Sequence, residues 1–216
     1  MLKIFAVKSI PRLDWSSPTP FSLRPKLLTF FYLNIGLVLF GLGEAILIAS
    51  GAGVSPWTVL AQGISSKTNW SVGFSTMIVS FSVLFMWIPL HQKPGIGTIL
   101  NALIIAFMID FSLHLLPNPQ TLIWQLVQVV SGVLVIGIGS GIYLTANLGA
   151  GPRDGLMTGL QIKTNLPIAS IRIALEITVV SIGWYLGGVV GIGTIMFAFG
   201  VGPSVAIGIL LVRKLL

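Results

Sequence analysis

Apolar residues run along this chain in six stretches, near 28–49, 71–90, 96–116, 121–146, 168–187 and 192–212. Each is close to the roughly 20 residues that a helix needs to cross about 30 Å of hydrocarbon. Two intervening segments are patterned differently. Their helical parts, about 55–67 and 151–163, hold 13 residues each, which at a rise of 1.5 Å per residue reaches only about 20 Å. Both begin at a proline, Pro56 or Pro152, at a position where a missing N–H costs nothing. Both end in Lys-Thr-Asn: Lys67 and Lys163 complement the negative helix end, and Asn69 and Asn165 can take the left-handed conformation that stops a helix. The pattern predicts an all-α polytopic membrane protein with six transmembrane helices and two short helices that re-enter the membrane or lie on its surface.

The two short segments are copies of each other. Gly53/Gly149, Pro56/Pro152, Leu60/Leu156, Gly63/Gly159 and Lys67-Thr68-Asn69/Lys163-Thr164-Asn165 pair at an offset of 96 without a gap, and positions 33–101 give 18 identities in 69. The chain therefore divides into a polar tail (1–26), a first membrane repeat (27–118) and a second (119–216). Three spans is an odd number, so the second repeat should enter the bilayer from the opposite face.

Composition agrees. The chain is 55% hydrophobic and only 8% charged, which excludes a water-soluble domain. With no Cys and two His, disulfides and thiolate or His-rich metal sites are excluded, and neither metal nor cofactor is expected. A net charge of +7 would suggest nucleic acid in a soluble protein, but beside apolar spans basic residues set orientation. With six spans and a cytoplasmic N-terminus, Lys3, Lys8, Arg12, Arg24, Lys26, Lys93, Arg153, Lys163, Arg213 and Lys214 all fall on the cytoplasmic side and only Lys67 falls outside. Eight spans would move Lys93 and Arg153 outward. Both termini are therefore expected to be cytoplasmic.

G-A-G-P-R-D-G-L-M-T-G at 149–159, Gly137, Gly139 and Tyr143 in the preceding span, Arg172 and Glu176, Gly183-Trp184, and V-G-I-G-T-I at 190–195 resemble the YczE/YitT-type family of bacterial integral membrane proteins, and within it the YczE branch. The resemblance covers roughly 28–212. S-P-W-T-V-L-A-Q-G at 55–63 is similar to the family's more acidic D-P-W-D-V-L-x-Q-G, from which Ser55 and Thr58 depart. It implies an inner-membrane location and leaves the substrate open.

Candidate functional residues are the charges at membrane depth: Glu44, Asp110, Arg153, Asp154, Arg172 and Glu176. A charge at the centre of a span costs about 2.5–3.5 kcal/mol on insertion scales, so each needs a partner or a wet cavity. Arg172 and Glu176, four apart, can pair on one helical face. None of the six is duplicated, whereas the glycines are. Gly137-x-x-x-Gly141 and Gly187-x-x-x-Gly191 have the spacing of close helix packing. Trp57, Trp70, Trp87, Trp124 and Trp184 read as interfacial anchors. The first expectation is a small secondary transporter or permease, an anion being one substrate option, since discontinuous helices aim positive ends at the midplane. The alternative is a non-transporting membrane partner that stabilises or regulates another assembly, recruited through the tail. No motif for catalysis is present, and an enzyme is not expected. Small size suggests a homodimer in the lipid bilayer.

Overall fold

The computed structural model describes residues 10–215, so Lys3 and Lys8 of the tail lie outside the described residues. Eight α-helices follow in order: α1 (Leu27–Ser50), α2 (Pro56–Thr68), α3 (Val72–Trp87), α4 (Ile96–Leu113), α5 (Leu122–Ala146), α6 (Pro152–Thr164), α7 (Ile168–Tyr185) and α8 (Ile192–Leu215). Six are long and apolar enough to cross a membrane once the 3-10 turn Ile88–Leu90 is counted with α3; α2 and α6 have 13 residues each. The short helices end as expected, with Asn69 at φ 60° and Asn165 at φ 57°. Pro89 tightens the end of α3 into that 3-10 turn.

Backbone conformation repeats where side chains do not. Among the described residues, eight have positive φ, and they form four pairs at the offset of 96: Gly51 with Asn147, Gly53 with Gly149, Asn69 with Asn165, and His91 with Gly187. Contacts are duplicated as well. The Gly97 N–H donates to the Leu148 carbonyl at 2.8 Å and the Gly193 N–H to the Ala52 carbonyl at 2.8 Å, which is the same bond with the repeats exchanged.

Glycines set the packing because they let backbones approach. The central pair is α1 with α5, whose residues meet in antiparallel order: Gly36 lies against Gly139 and Tyr143, Gly43 against Gly132 and Ile136. On its far side α1 takes α4, with Gly41 against Ile105 and Met108, and α5 takes α8, with Gly137 against Ser204 and Gly141 against Gly208. The small-residue pair Gly137/Gly141 thus joins two helices of one chain. Gly187 and Gly191, by contrast, lie in the α7–α8 connection, and Gly187 at φ 106° shows why that spacing has no helix face to occupy.

The short helices are exchanged between repeats. Gly63 of α2 seats against Gly183 and Leu186 at the end of α7; Gly159 of α6 seats against Leu90, the equivalent of Leu186. Gly53 and Gly149 make the reciprocal contacts to Gly191/Thr194 and Gly95/Thr98 that anchor each connection in the other repeat.

The tail is not free. From Ile10 to Lys26 it packs against the end of α5, burying Trp15, Ser16 and Ser17. The Ser17 N–H donates to the Ala146 carbonyl at 3.0 Å and the Ser16 hydroxyl to the Thr145 carbonyl at 2.7 Å, filling helix-end acceptors that would otherwise be orphaned.

Candidate functional site

The N-termini of α2 and α6 meet at a cavity of about 290 Å³. Its wall is drawn from both repeats at equivalent positions: Pro56 and Pro152, Trp57 and Arg153, Thr76 and Arg172, Ser80 and Glu176, Asn101 and Phe197, Ile105 and Val201. A cavity lined by exchanged equivalents lies on the relation between the halves. The first repeat gives this wall neutral side chains and the second gives it charges.

Glu44 anchors the centre. It is fully buried, and its carboxylate accepts from the Ser55 hydroxyl (3.0 Å to each oxygen) and from the Thr58 hydroxyl (2.8 Å). Ser55 is the N-cap of α2, yet its side chain does not cap the backbone; it holds Glu44 at the positive end of the helix, where a carboxylate is favoured. Ser55 and Thr58, which looked like lost acids in the sequence, are the donors for an acid supplied by α1.

Arg153 faces this acid from α6, with a guanidinium nitrogen 3.9 Å from Glu44 Oε1 and its carbon 5.5 Å from the centre of the Trp57 ring. A cation in the first turn of a helix is placed against the macrodipole. Glu44 and the Trp57 face offset that cost, a stacking between residues that occupy the same place in the two repeats. Beside it, Asp154 accepts from the Tyr143 hydroxyl at 3.1 Å. On the opposite wall Arg172 Nε donates to Glu176 Oε1 at 2.8 Å, the i,i+4 pair that the spacing predicts. Arg153, Asp154, Arg172 and Glu176 all line the one cavity.

Five of the six candidate charges therefore converge. Asp110 is elsewhere: its carboxylate accepts from the Ser71 hydroxyl at 2.5 Å and the Gly73 N–H at 2.8 Å, capping the start of α3. The anchoring expectation for the tryptophans divides as well. Trp70, Trp124 and Trp184 are exposed, but Trp57 and Trp87 are buried, and the Trp87 indole N–H donates to the Pro152 carbonyl at 2.9 Å. Asn101 and Ser140 also face the cavity. Sequence reading missed them, although Ser140 stands opposite Glu44 in the repeat alignment.

Comparison with known proteins agrees with the architecture. A family model described as a family of unknown function (DUF6198) matches residues 27–209. The chain belongs to that family. It is 38% identical to an uncharacterised protein of Haemophilus influenzae over 209 residues, covering 97% of this chain and 95% of the relative. It is 34% identical to the uncharacterised membrane protein YczE of Bacillus subtilis over 176 residues, covering 79% of each. With the uncharacterised protein YyaS of the same organism it shares 28% over 171 residues, 77% of this chain and 85% of the relative. No solved structure matches. As a member of the DUF6198 family with six helices able to cross a membrane, the chain is a multi-pass membrane-embedded protein.

Proposed function

We propose that this DUF6198 protein is a small secondary transporter or permease of the cytoplasmic membrane, built as two inverted halves around one central site. One observation carries the reading: two discontinuous helices, one from each repeat, bring their N-termini together at a cavity lined by equivalent residues of both halves. That is the arrangement in which secondary transporters hold substrate near the midplane. The antiparallel packing of α1 and α5, which are repeat equivalents, supports inversion, as does the placement of basic residues with both termini on the cytoplasmic side.

The chemistry of the wall narrows the substrate. Arg153 and Arg172 stand among Asp154, Glu176 and Glu44, so positive charge in the site is already balanced. A bare anion gains little there. A small zwitterion, or a solute that travels with a proton carried by one of these carboxylates, matches the alternating signs better.

Orientation is tested by Ser66→Cys and Ile162→Cys, equivalent positions on the exposed ends of α2 and α6, with a membrane-impermeant maleimide. Labelling of the first in intact cells and of the second only after the membrane is opened is the expected result. Equal access from one side would remove the inversion. Function is tested by reconstituting the protein in liposomes and screening amino acids, amines and carboxylates for uptake. Glu44→Gln and Glu176→Gln should abolish any flux found while folded protein persists.

A further inference from the structure

The two repeats differ most at one pair of contacts. In the first, the start of α3 is closed against the end of α4: α3 packs along α4, and Gly73 lies against Ala106 and Asp110. In the second, the equivalent residues are Ala169, Gly202 and Ala206. There α7 makes almost no contact with α8, and a Cβ added at Gly202 would meet nothing within 4 Å. Arg172 is exposed beside this opening, and both Arg172 and Gly202 line the cavity.

The sequence explains why one seam is shut and the other is not. Asp110 accepts from Ser71 and Gly73 on the first side. On the second side Ala206 replaces the acid, and Pro167 replaces Ser71, removing the hydroxyl. Pro203 also sits inside α8, where α4 has Phe107. Its missing N–H deletes one intrahelical bond next to an unpacked glycine, so α8 can bend at the place where the seam is open.

We propose that these seams are the two gates of the cavity. The α3–α4 seam is the closed gate of one membrane face, latched by Asp110, and the α7–α8 seam is the open gate of the other. Access passes between faces when Asp110 releases Ser71 and Gly73 and α7 closes on α8 across Ala169 and Gly202. The proposal rests on the permease reading above and deepens it by naming how the site is reached. With the inverted orientation, the latched gate faces outward and the open gate faces the cytoplasm. Asp110 then belongs to gating, which is why it lies apart from the other five charges.

The chain has no cysteine, so Ser140→Cys, in the cavity wall, serves as a reporter for impermeant maleimide applied from either face of native membranes. Three backgrounds are compared: the otherwise unchanged chain, Asp110→Ala, and Pro167→Ser with Ala206→Asp, which adds a second latch at the other gate. The reporter should label from the cytoplasmic face in the first. It should label about tenfold faster from outside in the second, the ratio that a lost charge-assisted hydrogen bond gives a two-state equilibrium, and lose cytoplasmic labelling in the third. Because the third variant adds an interaction, the test survives if Asp110→Ala fails to fold. Labelling that is the same in every folded background overturns the gates, whatever flux is found. Labelling that shifts as described, in a protein that carries none of the screened solutes, upholds the gates and removes the uptake reading.

Discussion

The first and second repeats share a backbone and divide the chemistry. Both have a short helix of the same length, left-handed backbone at the same positions and reciprocal exchanged contacts. Only the second presents charge to the cavity wall from its short helix and the span that follows, and only the first has a latched seam. Both halves keep the same backbone geometry, and seven glycine pairs at the offset of 96, among them Gly53/Gly149 and Gly63/Gly159, are kept where the chain approaches a neighbour closely. Wall residues meet cavity rather than backbone and are free to differ. On the permease proposal, asymmetry between the halves is where specificity and direction are stored, while symmetry stores the fold.

Four experiments break or sharpen this comparison. The largest effect should come from Gly53→Val or Gly149→Val. Each glycine has φ near 115° (114° and 118°), and an added Cβ would lie 2.7 Å from the Gly191 nitrogen or 2.6 Å from the Thr98 hydroxyl. Backbone strain plus overpacking should exceed about 4 kcal/mol. Neither variant should give a monodisperse peak in detergent, and similar losses at both positions would show that the two elbows are equivalent.

Next, Gly73→Leu should cost about 3 kcal/mol because its side chain would meet the Ala106 carbonyl and Asp110, whereas Gly202→Leu, facing open space, should stay within about 0.5 kcal/mol. Thermal unfolding in detergent measures both. Equal costs would mean that the second seam is packed in the membrane.

Arg153→Ala comes third. It leaves Glu44 buried without its cation, and at 3.9 Å and partial exposure of the arginine the loss should be about 2 kcal/mol. Adding Glu44→Gln should recover a large part of it, and a double-mutant cycle with no coupling would show that the pair does not interact. The smallest effect on stability is expected for Arg172→Ala. Its pair with Glu176 is half-exposed and should be worth about 0.5 kcal/mol, while uptake should be lost. Retained uptake would take Arg172 out of the site.

Much of the fold was legible because it depends on local rules. Proline at a helix start, Lys-Thr-Asn at its end and a run of about 20 apolar residues each have one dominant reading. The i,i+4 pair of Arg172 with Glu176 is equally local. The site was less legible because its key contacts join residues far apart in sequence. Nothing near Ser55 indicates that its hydroxyl serves Glu44, and nothing near Trp57 indicates that Arg153 will cover it. Trp57 and Trp87 read as anchors because tryptophans at span ends usually are; exchange of the short helices carried both inward. The open seam was unreadable for another reason. It consists of a contact that is not made, and only comparison with its closed twin reveals it.

The docked segment before α1 has a consequence for the order of assembly. Ser16 and Asn147, which hold the two sides of this join, find partners 129 and 130 positions away in the chain. During synthesis at ordinary rates, that stretch takes on the order of ten seconds to emerge. Throughout that interval Trp15 can rest on Tyr32 of α1 and accept from Thr29, but the Thr145 and Ala146 carbonyls that complete the join are still missing. The join between the beginning of the chain and the end of α5 is thus a late event, made after four spans are already in the bilayer, and protease resistance of residues 10–26 is a clock for the moment when the two halves have met.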